Sequence, residues 1–323
     1  MKLFGRIVLG LAVFLVLSFL VLRQPDTDPD EMRAKYGQAP SGFVTMDDGL
    51  TVHFRDEGPR DGLPIILLHG SNADLHTWQP WVDALKDDYR VIRFDQIGHG
   101  LTGPSVSGGY GTEEFNATID AVAGALELDR FVIGGNSMGG GISMAYAMEN
   151  PDRLLGLVLV DAGGADIPRE GGGNLAFTLA RIPGVGATFS QILPRALVER
   201  SLSQSVSNKD VVTDETVDRY WELARYPGNR AATRKRFSAG WTPFDEADIR
   251  QVAVPTLVMW GDEDALIPVE AATWFAERLQ NSKLVVYEGI GHLPQEEAAE
   301  QSAADLRAWL EGLGEDEQKL ENE

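Results

Sequence analysis

Apolar and polar positions along this chain fall into blocks of two kinds. Short runs dense in Val, Ile and Leu recur: PIILLH (64–69), RVIRFD (90–95), RFVIGGN (130–136), LLGLVLVD (154–161), PTLVMWG (255–261) and KLVVYEG (283–289). Near-continuous apolar runs of this length are how strands covered on both faces of a parallel sheet read. GFVTM (42–46) and TVHFRDEG (51–58) flank the turn DDGL and predict a hairpin ahead of them. Segments near 76–87, 113–128, 138–149, 269–280 and 297–311 carry helical spacing of their apolar residues and separate the runs. The order predicts an α/β fold: a doubly wound, mostly parallel eight-stranded sheet opened by an antiparallel pair. One interval breaks the rhythm, because over ninety residues without a clear strand lie between Asp161 and Pro255. A structureless loop of that length is improbable in a compact domain. Its segments 174–182, 193–203, 214–225 and 229–239 read as short helices, hence a helical lid inserted after the sixth strand. A core of 41–162 and 250–312 around a cap of 163–249 follows, and no internal repeat is present.

The ends have a different character. Lys2 and Arg6 precede sixteen uncharged, mostly apolar residues, Ile7 to Leu22, a length between a signal-peptide core and a full membrane span. No small-x-small cleavage site follows, so 1–23 is expected to be an uncleaved membrane anchor, with removal as a signal and secretion as the alternative. Lys2, Arg6 and the α-amine against Arg23 alone place the body outside the cytoplasm. Residues 24–40, rich in Pro and Asp, read as a linker, and the acidic stretch 313–323 as a frayed tail. The net charge of −21, from 49 acidic against 28 basic residues, repels nucleic acid. With no cysteine, disulfides, thiolate nucleophiles and cysteine metal sites are excluded. The oligomeric state is not legible.

Chemistry gathers at the strand ends. FVIGGNSMGGG (131–141) runs from a strand through G-x-S-x-G into a helical pattern, the context of a nucleophile elbow centred on Ser137. At Gly135 and Gly139 a side chain would push into the neighbouring strand or helix. The turn aims the Met138 amide and the helix's positive end at one point. A serine hydroxyl needs a base. Of five histidines, His292 in GIGHLPQEE follows the last strand directly. His69 in LLHGSN suits shaping its loop, with the amide of Ser71, or of Asn72, as the second oxyanion donor; His99 suits a glycine-rich turn, and His53 and His76 carry no special signal. The imidazole needs an orienting acid. Asp264 in WGDEDALIP is the first choice, with Asp262 and Asp161 as alternatives, while Asp95 is assigned to its own turn. The order Ser, Asp, His is the one this elbow architecture uses.

Together LLHGSNADLHTW, RVIRFDQIGHGLTGP, GGNSMGG, WGDEDALIP and GIGHLPQEE resemble the α/β-hydrolase fold superfamily over roughly residues 42 to 312. The resemblance implies a Ser137 nucleophile, a His292 base, an Asp264 acid and an oxyanion hole from the Met138 and Ser71 amides, with no cofactor or metal. Ser137 excludes the members that carry aspartate at the elbow, haloalkane dehalogenases and many epoxide hydrolases. HGSN departs from the H-G-x-G-P-G loop of carbon–carbon bond hydrolases and from the HGGG loop of one lipase and esterase group. The expectation is a carboxylesterase or lipase-like enzyme acting on a small-molecule ester, of small or lipophilic acyl type. The apolar stretch 174–194 supplies the hint of an acyl pocket. Carbon–carbon hydrolysis, amide cleavage and perhydrolysis share the same triad. A non-catalytic hydrolase-like binding protein would show decay of a triad member, and none is missing.

Overall fold

The computed structural model describes residues 2–168, 190–240 and 242–321; side chains at positions 2, 3, 5, 8, 12 and 15 and from 315 onward lie outside the description. Eight strands form one sheet in the order β1-β2-β4-β3-β5-β6-β7-β8. They are β1 (Ser41–Thr45), β2 (Thr51–Glu57), β3 (Pro64–Leu68), β4 (Arg90–Phe94), β5 (Phe131–Asn136), β6 (Leu154–Val160), β7 (Thr256–Gly261) and β8 (Ser282–Tyr287). β2 runs antiparallel to β1 and β4, and every pairing from β4 to β8 is parallel. The hydrophobic runs place it so: β3 to β7 are buried along almost their whole length, with one apolar cluster on each face of the sheet. β8 differs from its sequence reading. It is the last strand of the sheet, and Leu284 and Val286 are exposed.

Helices α1 (Lys2–Leu22), α2 (Pro29–Tyr36), α3 (Gln79–Leu85), α4 (Thr112–Ala125) and α5 (Met138–Glu149) lead into the cap. The cap contributes α6 (Arg195–Ser205), α7 (Asp214–Ala224), α8 (Asn229–Ala239) and α9 (Glu246–Ile249) between β6 and β7. α10 (Glu270–Ala276), α11 (Pro294–Glu297) and α12 (Ala299–Glu321) complete the chain. The helix expected at 174–182 and most of the apolar stretch 174–194 lie outside the described residues.

Two terminal readings change, and a third segment is described as a helix. The segment read as a linker, 24–40, carries α2: Asp28 caps it by accepting from the amides of Asp30 and Glu31, and Pro29 occupies the first turn, where its missing N–H costs nothing. That segment is docked on the cap, with the Thr27 amide donating to Arg225 O at 3.0 Å and Tyr36 Oη to Glu222 at 2.7 Å. The tail read as frayed continues α12 to Glu321, through residues that are mostly good helix formers. The anchor expected at 1–23 forms the helix α1, whose described apolar side chains, Phe14, Leu17 and Val21 among them, are exposed. Among the described residues no helix is long and apolar enough to cross a membrane.

Candidate active site

Ser137 stands between β5 and α5 with φ 55° and ψ −117°, a conformation non-glycine residues rarely adopt. The two flanking glycines make it attainable. A Cβ on Gly135 would lie 2.3 Å from the Gly139 carbonyl group, and one on Gly139 would lie 2.1 Å from Leu68 O. The turn is held by its own backbone: the Ser137 amide donates to Val160 O at 3.0 Å, and Ser137 O accepts from Gly163 and Gly141. The loop after β3 lies directly on the elbow, since a Cβ on Gly70 would approach Ser137 Cβ to 3.1 Å. The Met138 amide opens α5 and the Ser71 amide sits in that loop; neither has an acceptor among the described residues. Ser71 Oγ donates to Met138 Sδ at 3.4 Å, which sets the two amide-bearing residues side by side.

His292 follows β8 and is buried. Its Nδ1 donates to Asp264 Oδ2 at 2.6 Å, leaving Nε2 without a partner among the described residues. Asp264 is fixed in turn, because Oδ1 accepts the amides of Leu266 at 2.7 Å and Ile267 at 3.0 Å. Asp262, the neighbouring alternative, instead accepts from the Gly289 amide at 2.7 Å. Asp161, the other alternative, is fully buried beside the pair and accepts the Gly261 amide at 3.1 Å. Burial first, then the negative charge of Asp264, pushes its carboxyl well above the ordinary range, which favours its protonated form. Asp161, Asp264 and His292 present ligand atoms within 4.8 Å of one another. Nδ1 is spent on Asp264 and one Asp161 oxygen on Gly261, while Asp161 Oδ2 is buried with no hydrogen-bond partner among the described residues.

Three residues passed over in the sequence build this geometry. Asn136 Nδ2 donates to His292 O at 2.9 Å and tethers the histidine loop to the residue beside the nucleophile. Glu297 Oε2 accepts the amides of Gly291, Ser207 and Asn208, and Oε1 that of Leu293, knitting the same loop to the cap. Arg219 of α7 pairs with buried Asp74 at 3.3 Å. Burial would raise Asp74, but Arg219 and His76 outweigh it and hold the carboxyl far below its usual range. None of the three stands out in the sequence, since each works through partners distant along the chain.

The remaining histidines are occupied. His69 Nδ1 donates to Gly70 O at 2.7 Å while Nε2 accepts the Gln96 amide at 3.0 Å; burial lowers its pKa and keeps it neutral. His99 Nδ1 donates to Ile97 O at 3.1 Å, and burial, then Arg236, holds its pKa well below the ordinary value. Asp95 takes the amides of Leu75 and Leu101 and also His53 Nδ1.

A family model for the alpha/beta hydrolase fold matches residues 64–299. The chain is 28% identical over 263 residues to a 2-hydroxy-6-oxo-2,4-heptadienoate hydrolase of Pseudomonas putida, covering 79% of this chain and 90% of that one. It is 29% identical over 257 residues to a non-heme chloroperoxidase of Streptomyces lividans, covering 78% and 92%. Among solved structures, a malate-bound thermophilic esterase of Thermogutta terrifontis superposes with a TM-score of 0.70 at 27% identity, covering 84% of this chain and 98% of that one.

Proposed function

Because the chain belongs to the alpha/beta hydrolase fold family, we propose that it is a serine hydrolase that cleaves a carboxylic ester through an acyl-enzyme. The observation that carries this reading is the His292 Nδ1 to Asp264 contact, which commits the ring to one tautomer and leaves Nε2 as its base on the rim that holds Ser137. Ser137 Oγ attacks the ester carbonyl carbon and His292 Nε2 takes the hydroxyl proton. Asp264 stabilises the imidazolium, and the Met138 and Ser71 amides bind the tetrahedral oxyanion; losing one such donor costs about 10²–10³ in turnover. His292 returns the proton to the leaving alkoxide, then draws one from a water whose oxygen attacks the acyl carbon, and passes it to Ser137 Oγ as the acid leaves. Hydrolysis of p-nitrophenyl esters with two to eight acyl carbons tests the reading, and full activity in Ser137→Ala would overturn it.

A second reading, hydrolysis of a carbon–carbon bond in a ketone on the same three side chains, is favoured by the named activity of the Pseudomonas putida relative. Turnover of 2-hydroxy-6-oxo-2,4-heptadienoate with no turnover of any ester would select it. Membrane attachment rests on the exposed apolar side chains of α1. Flotation of the full chain with lipid vesicles, abolished by deleting residues 2–22, is the outcome that reading expects.

A further inference from the structure

Among the described residues, several buried or half-buried arginines meet an acid. Arg90 pairs with Asp56, Arg93 with Glu57, Arg219 with Asp74 and Arg230 with Asp26. Buried Arg225 does not; it donates to Trp221 O and Pro25 O and lies over the Trp221 ring. Neither does half-buried Arg236, on the α8 face turned toward the site. Its Nη1 donates to Ser71 Oγ at 2.9 Å and to Met138 Sδ at 2.7 Å. Its Nη2 donates to His99 Nε2 at 2.8 Å and to Thr233 Oγ1 at 3.4 Å, and Nε is buried without a partner. Among the described residues no carboxylate reaches it, and burial lowers its pKa to about 10, so it stays charged at neutral pH. A desolvated guanidinium held only by neutral groups has lost its water without gaining a counter-ion. The four contacts nevertheless fix the fork, because His99 spends Nδ1 on Ile97 O and can only accept at Nε2. The fixed cation touches the side chains of both residues whose amides are assigned to the oxyanion.

We propose that Arg236 receives a carboxylate carried by the substrate close to its scissile carbonyl, so that the enzyme acts on acidic esters, such as half-esters of short dicarboxylic acids, in preference to neutral ones. The proposal rests on the serine-hydrolase reading of the site and adds its substrate class. Planar bidentate recognition of a carboxylate is what a held guanidinium does best. A group serving the oxyanion alone would act on neutral and acidic esters alike.

The test compares mono-p-nitrophenyl glutarate with p-nitrophenyl valerate, acyl chains of equal length, on the full chain. Wild type is expected to favour the acidic ester by about tenfold or more in kcat/KM. Arg236→Met should lose about 10–100-fold on the acidic ester, mostly through KM, and stay within about threefold on the neutral one, with Arg236→Lys in between. Equal rates on the two esters in wild type, or an equal loss on both in Arg236→Met, would overturn the proposal. Calorimetry of glutarate binding to Ser137→Ala keeps the two readings apart. Binding that Arg236→Met abolishes, with neither ester hydrolysed by wild type, would uphold the anion site and sink the esterase reading. No glutarate binding to Ser137→Ala would sink the anion site itself.

Discussion

Two sets of serine, histidine and aspartate stand in this molecule, one of them joined throughout by hydrogen bonds. In one, Ser41 Oγ donates to His53 Nε2 at 2.8 Å and His53 Nδ1 to Asp95 Oδ2 at 2.7 Å. In the other, His292 Nδ1 donates to Asp264 Oδ2 at 2.6 Å on the rim that carries Ser137. Both histidines are buried, and by side-chain chemistry alone the first set is the more complete. What surrounds them differs. Ser41 lies in the extended strand β1, its oxygen also accepts Arg55 Nε at 3.1 Å, and Phe43 stacks on the His53 ring at 5.0 Å. Ser137 sits in a strained turn at the start of a helix, with two amides beside it that have no other acceptor among the described residues. A proton chain of three side chains is therefore an ordinary structural device. The backbone that presents the serine and stabilises the developing charge separates a catalyst from a cross-brace.

The widest separation is expected between the serines. Ser137→Ala should lower kcat by about 10⁴–10⁶, whereas Ser41→Ala should leave kcat/KM within about twofold. Ester hydrolysis by purified, folded variants reads both; a Ser41→Ala protein as inactive as Ser137→Ala would erase the distinction. The acids should part next. Asp264→Asn is expected to cost about 10⁴ in kcat by favouring the wrong tautomer of His292. Asp95→Asn, in contrast, should act on stability, because a carboxylate that accepts from His53, Leu75 and Leu101 becomes an amide with one fewer acceptor. A buried donor left unsatisfied costs about 1–3 kcal/mol, a fall of several degrees in Tm at this chain length. Thermal melts alongside kinetics check the pair, and a crossed result would reverse the assignment.

The contrast also explains what was legible in the sequence. Ser137, Asp264 and His292 each follow a strand directly in the chain, so local pattern was enough to place them at one edge of the sheet. Ser41, His53 and Asp95 come together only through the register of β1 on β2, where Phe43 faces His53 and Ser41 faces Arg55, and through the pairing of β2 with β4. Nothing within a short window around His53 announces that meeting. Asn136, Glu297 and Arg236 were missed for the same reason, since each acts on backbone or side chains far along the chain. The 24–40 segment misled differently: Asp and Pro signal loops when counted by composition, but in the order Asp28–Pro29 they start a helix. The apolar density of β8 resembles that of β7 and predicts cover on both faces, but density alone does not say which strand ends a sheet.

The subtlest difference between the two sets is the additional acid. The buried acid near Asp95, Asp74, is paired with Arg219 and His76, whereas Asp161 stands beside Asp264 and His292, with φ 44° just past the end of β6. Its carboxyl is raised well above the ordinary range by burial and by Asp264, so the folded protein keeps a proton that the unfolded chain releases above about pH 4. Where the native state binds more protons, stability falls as pH rises. This contribution is therefore fully present below the unfolded pKa and is lost through the window up to the raised folded value, at up to about 1.4 kcal/mol per pH unit. Asp161→Asn keeps the shape and the oxygen that accepts the Gly261 amide, but has no proton to lose. Its Tm should exceed that of wild type by a few degrees at pH 8, and the gap should close as the melts approach pH 4. Turnover should fall less than tenfold, because Leu266 and Ile267 still hold Asp264. If Asp161→Asn instead removes activity as completely as Asp264→Asn at unchanged stability, the orienting acid is shared between two carboxyls, and the catalytic chain differs from the structural one in its number of members as well as in its backbone.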